Sequence, residues 1–225
     1  MFLSNFYESV DTNVKYIDKT KMRLYNICYI TKIIYKERRI VMPPKTRISR
    51  EMILETAFQL VREEGDGAVN ARRIAECLNC STQPVMYNFK TIEELRQEVY
   101  KMADAYHTDY IMSVEENDDL PLLAVGLNYI RFGYEEKNLF RFLFQTNQFS
   151  GMNLNVLFSD PALSGVMDMV AGEMGGSLEA AKELFRKIAV VAHGYASLLA
   201  NNALEYDEDA CSKDLCDVFN GAVKE

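Results

Sequence analysis

Two adjacent stretches of this chain hold side chains whose types and spacing could do chemistry. In 77-CLNC-80 two cysteines stand at the separation of a redox or zinc pair. In 81-STQPVMYNFK-90 hydroxyl, amide, phenol and ammonium groups crowd together. Zinc needs four ligands, and no second Cys/His pair lies near Cys77 and Cys80; Cys211 and Cys216 are distant and at the wrong spacing. The pair is therefore read as structural, with a thiol-based redox sensor as the alternative. No Gly-rich phosphate loop, nucleophile elbow or metal-binding His cluster occurs, and two histidines leave little general-base chemistry. The reading is of no enzyme, no metal and no cofactor. The second stretch offers recognition instead. A Gln amide can pair in bidentate fashion with adenine, and Thr can donate a hydrogen bond or lay its methyl against thymine.

Such groups recognise something only if a rigid element presents them. Long segments rich in Leu, Ala, Glu, Lys and Met predict an all-α chain. The apolar stripe Ile53, Ala57, Leu60 and Val61, widened by Leu54 and Phe58, marks an amphipathic helix within 48–65 that Gly65 ends as a left-handed cap. Asp66-Gly67 turns the chain, and Asn70 caps a short helix over about 70–78. Asn79 falls where a left-handed residue is needed. Ser81 is read as the cap of a third short helix, with Pro84 in its first turn, Val85 and Phe89 facing the core, and Thr82, Gln83, Met86 and Tyr87 on other faces. Two helices, a tight turn and a polar N-terminus on the second make a helix-turn-helix.

On these residues, 53-ILETAFQLVREEG-65, 74-IA-75 and 81-STQPVMYNFKTIEEL-95, the chain resembles the TetR family of transcriptional regulators. The resemblance covers roughly the first quarter of the chain after Met42. It departs at Asn79, where Gly is usual, and at Met86, where an aromatic is usual. It implies an N-terminal three-helix helix-turn-helix domain (42–90) followed by a larger helical ligand-binding and dimerisation domain (91–225). It implies a homodimer on a palindromic operator of double-stranded DNA, blocked or released by a small-molecule effector. Base reading would fall to Thr82 and Gln83. Phosphate contacts would come from Lys45, Thr46 and Arg47, from Asn70 and Arg72, and from Tyr87, Lys90 and Thr91. A helical protein–protein adaptor that has lost its operator is the rival reading.

Charge agrees with an amino-terminal site. Residues 102–225 hold 8 Lys and Arg against 20 Asp and Glu, whereas 42–101 hold 9 of each. The acidic part repels polyanions. Thr91-Ile-Glu-Glu94 is a capping box opening a helix to about Glu115; Pro121 starts another to about Glu136; 137-KNLFRFLFQ-145 is apolar and aromatic; Ser159 starts one that Gly175-Gly176 ends. Ser177 caps the longest helix, apolar on two sides, with Leu184, Ile188, Val191, Ala192, Tyr195, Leu198 and Leu199 on one. Asp207 caps the last. The resemblance places a dimer interface on the last two helices, at Phe185, Ala189, Ala196, Leu199, Leu215, Val218 and Phe219. It places an effector pocket for an apolar or aromatic molecule among Tyr106, Tyr110, Phe132, Phe140, Phe144, Met167, Met169 and His193.

Residues 1–41 hold 8 basic against 4 acidic residues and lack clear helical caps. They are read as a basic arm, an extra helix, or translated sequence upstream of a natural start at Met42; Glu37-Arg38-Arg39 can be encoded by a purine-rich ribosome-binding sequence. Five cysteines argue against a disulfide framework and for a reducing cytoplasm. The run 188–204 is read as a buried helix, leaving no membrane partner.

Overall fold

The structure is a computed structural model that describes residues 48–114, 120–146, 167–168, 170–172 and 177–223. Lys45, Thr46, Arg47 and Met169, the leader and the helix expected from Ser159 lie outside these residues, apart from short helical pieces at 167–172. Residues Ile48–Glu225 form one compact unit, separate from Met1–Arg47. Its regular elements, among the described residues, are all helices.

Helix α1 (Arg50–Glu64) starts at Ser49, whose hydroxyl accepts the Met52 N–H at 3.2 Å. It ends at Gly65 with φ +89° and ψ 176°, a conformation open essentially to Gly and outside the left-handed helical region that was expected. A 3₁₀ turn over Asp66–Ala68 leads to α2 (Ala71–Cys77), capped by Asn70, which accepts the Arg73 N–H at 2.9 Å. Asn79 has φ +52° and takes the left-handed position, as the turn required.

Helix α3 (Gln83–Asn88) begins later than the sequence implied. Thr82, not Ser81, is its cap; the Thr82 carbonyl accepts the Met86 N–H at 3.1 Å, and no side chain caps the helix. A Ser81 cap would aim its hydroxyl at the N–H three residues on, and Pro84 has none. Val85 and Phe89 are fully buried beneath it.

Helix α4 (Ile92–Ile111) opens on the expected Thr91 cap and stops short of Glu115. Helices α5 (Pro121–Glu135) and α6 (Lys137–Phe144) meet at Glu136, whose φ −111° and ψ 48° break the rod. Helices α7 (Leu178–Asn201) and α8 (Glu208–Val223) carry the expected Ser177 and Asp207 caps.

Two apolar clusters fill the unit. One joins α1, α2, α3 and α4 to α5, α6 and the C-terminal end of α7. The other joins α5, α7 and α8. Helices α1–α3 therefore share a core with the larger part of the chain. The buried stripe of α7 is Ala181, Leu184, Ile188, Ala192, Ala196, Leu199 and Ala200. Leu198 is 54% exposed. The stripe turned because α5 lies against Ala196: a Cβ on Gly133 would come within 2.7 Å of the Ala196 Cβ and 2.8 Å of its Cα.

That approach gives a direct test. Gly133→Ala must push α5 from α7 backbone, and overpacking of this kind costs about 1–3 kcal/mol. Chemical denaturation should show a loss in that range; wild-type stability in the variant would contradict the close crossing.

Candidate nucleic-acid interface and aromatic core

Helix α3 is only six residues long, so tertiary contacts must hold its angle. One knot does most of this. The Arg50 guanidinium lies 4.0 Å from the Phe89 ring centroid and donates to the Asn88 carbonyl at 2.7 Å. It pairs with Glu94 Oε1 at 3.3 Å, and Glu94 Oε2 accepts the Lys90 N–H at 2.9 Å. The Asn88 amide closes back on the Pro84 carbonyl at 2.8 Å. One cation from the first turn of α1 thus caps the C-terminus of α3 and links it to the first turn of α4. Ion pairs this exposed contribute little stability by themselves. The burial of Phe89 beneath Arg50 carries more, since truncating a buried Phe costs about 3–5 kcal/mol.

Above this knot Thr82, Gln83 and Tyr87 face solvent, and Tyr87 is 80% exposed. Lys90 and Arg72 are exposed, Arg72 in an ion pair with Glu76 at 3.2 Å on the surface. Asn70 and Thr91 are exposed but their side-chain oxygens are occupied as helix caps. These residues stand on or beside α2, α3 and the start of α4. Cys77 is exposed and Cys80 half-buried, both as free thiols. Among the described residues no group of three or more His, Cys, Asp or Glu is placed to hold a metal ion.

Behind α3 lies a second constellation. Of the residues expected to line a pocket, Tyr106, Tyr110 and Phe132 form one triad of ring contacts and Phe140, Phe144 and His193 another, with centroids 5.1–6.5 Å apart. Met167 is buried but belongs to neither described core cluster.

Sequence reasoning missed the centre of this set, His107. It is 7% exposed, its ring meets Tyr129, Phe132 and Phe144 edge-on at 4.9–5.3 Å, and its Nε2 has no hydrogen-bond partner. A signal existed: His107 continues the every-fourth-residue stripe Leu95, Val99, Ala103 of α4. Tyr129 bridges the two histidines, its hydroxyl 2.9 Å from His193 Nδ1. Burial lowers the pKa of both histidines, that of His107 to about 4.

The expected interface residues divide. Ala196, Leu199, Leu215 and Phe219 are buried in the chain's own core and present nothing to a partner. Phe185, Ala189 and Val218 are half-buried. Val190 and Leu198, each 54% exposed, form the apolar outer edge of α7.

The neutrality of His107 is testable by pH. An unfolded His titrates near 6.5 and this one near 4, so between those values only the unfolded chain binds the proton. Stability should therefore fall as pH drops through that window. Urea unfolding near pH 7 and near pH 4.5 should show a drop about 2 kcal/mol larger in wild type than in His107→Leu. An equal drop in both proteins would contradict a neutral, buried imidazole.

No family model matches the chain, and no curated protein matches it. Among solved structures it is similar to a glutamine-to-alanine variant of TetR from Acinetobacter baumannii AYE in complex with minocycline. The TM-score is 0.51 at 16% identity, over 77% of this chain and 96% of that one. At this identity the likeness is one of architecture: the chain has the all-α TetR fold.

Proposed function

We propose that the protein is a transcriptional regulator that binds a palindromic operator as a homodimer and responds to a small-molecule effector, most simply as a repressor of the cytoplasm. The observation that carries this is the free N-terminal face of α3. Thr82 and Gln83 face solvent at the start of a helix whose other end Arg50 clamps. Polar groups held rigidly at that place in a helix-turn-helix are placed for base edges in a major groove. Phosphate contacts fall to Arg72, Tyr87 and Lys90, with Asn70, Thr91 and the Lys45-Thr46-Arg47 segment beside them. The absence of Arg and Lys from Gln83–Asn88 leaves out the commonest guanine contact, so the half-site core leans to A·T pairs.

The outer edge of α7, with Val190 and Leu198 and the half-buried Phe185 and Ala189, together with the half-buried Val218 of α8, is the surface we assign to the second copy. A twofold dimer suits a twofold operator. The ring set around His107 is the part we assign to the effector, and the minocycline held by the TetR variant of similar fold supports an aromatic one. The effector acts only through different affinities for the states that fit and misfit the operator.

Footprinting of the full chain on DNA flanking its gene tests this. Two protected half-sites about one helical turn apart, weakened at least tenfold by Gln83→Ala and falling with salt, are the expected result. No specific protection on that DNA or on a genomic library would sink the reading.

A further inference from the structure

Helix α6 carries two polar residues that its apolar composition hides. Asn138 and Arg141 stand at i and i+3, so both project from one face. The Asn138 amide donates to the carbonyls of Arg62 and Glu63, each at 3.1 Å. Those carbonyls belong to the last turn of α1, where a helix has no internal donors left. Arg141 Nη1 donates to Asn138 Oδ1 at 3.2 Å. The same guanidinium reaches the other way, to the Ala200 carbonyl and to Asn201 Oδ1 at 3.4 Å, in the last turn of α7. A cation at that place also complements the negative end of the helix dipole.

The result is a strap of hydrogen bonds from the C-terminus of α1, through Asn138 and Arg141, to the C-terminus of α7. It is continuous at every link. One of its ends is the first helix of the reading unit; the other is the helix whose outer edge bears Val190 and Leu198. At its α1 end the Arg62–Glu136 ion pair runs parallel to it. Apolar packing between these helices would tolerate sliding and small rotations. Directional bonds to the terminal carbonyls of both helices do not.

We infer that Asn138 and Arg141 are positioning residues that fix the angle of the reading unit relative to α7, and so set the half-site separation at which a dimer can bind. This rests on the operator reading above for its DNA consequence, but the mechanical link stands apart from it. Neither residue touches the exposed face of α3, and neither is expected to touch DNA.

Two measurements test the inference. Amide exchange is followed in the full chain with Arg141→Ala. Faster exchange is expected in the last turn of α1, around Arg62–Gly65, as well as in the last turn of α7, although the hydrogen bonds of Arg141 run to Asn138 and α7 and not to α1. A change confined to α6 and α7 would overturn the strap. Affinity is then measured for the selected palindrome, for palindromes with one base pair inserted or removed between half-sites, and for a single half-site. Asn138→Ala should weaken palindrome binding about tenfold, flatten its dependence on spacing, and leave the half-site within about twofold. Equal losses on half-site and palindrome would reveal a merely structural residue and overturn the positioning role; wild-type behaviour on every duplex would do the same. If wild type binds no palindrome, the operator reading fails, and the exchange result still decides the strap.

Discussion

The structure depends on one buried carboxylate. Glu136 is 9% exposed and sits at the break between α5 and α6, ending one helix and starting the other. Its oxygens accept a forked pair of bonds from Arg62, with Nε at 2.8 Å from Oε2, and a third bond from the Tyr106 hydroxyl at 3.1 Å. Arg62 belongs to α1 and Tyr106 to the aromatic set. A charge this deep is tolerated only when its lone pairs are met, and removing one partner of a buried pair costs about 3–5 kcal/mol. The break in the α5–α6 rod is thereby tied to α1 on one side and to the aromatic core on the other. A fully apolar junction could pack in several registers; this one is specified by directional bonds.

The same constraint governs α2 and α3. Six residues of helix cannot hold themselves in water. Asn79 in the left-handed region and Gly65 in a conformation reserved for Gly bring α2 and α3 back over α1, and Arg50 closes the arrangement by capping α3 from below. Thr82, Gln83 and Tyr87 are left facing solvent on the outer face.

How much of this was legible in the sequence follows the reach of each interaction. The caps at Asn70, Thr91, Ser177 and Asp207 act over three residues, and each was readable. So were the positive φ of Asn79 and the inward Val85 and Phe89. The start of α3 was misplaced because Pro84 withholds the N–H a Ser81 cap would need. The face of α7 was misread because both sides of that helix are apolar, and only the contact of Gly133 with Ala196 decides which turns inward. Arg50 with Asn88, Arg62 with Glu136, and Asn138 with Arg62 span 38 to 76 residues and leave no local trace. His107 was not singled out, although it lies in the apolar register of α4.

If Glu136 ties α1 to the aromatic core, helices α1–α3 and that core open and close as one cooperative body. Native-state amide exchange across a urea series tests this most directly. The slowest amides of α2 and α3 should open with the same free energy and urea dependence as those of α5 and α6, and Glu136→Gln should lower both together. Opening of α2 and α3 at a separate, lower free energy, unmoved by that substitution, would contradict the link.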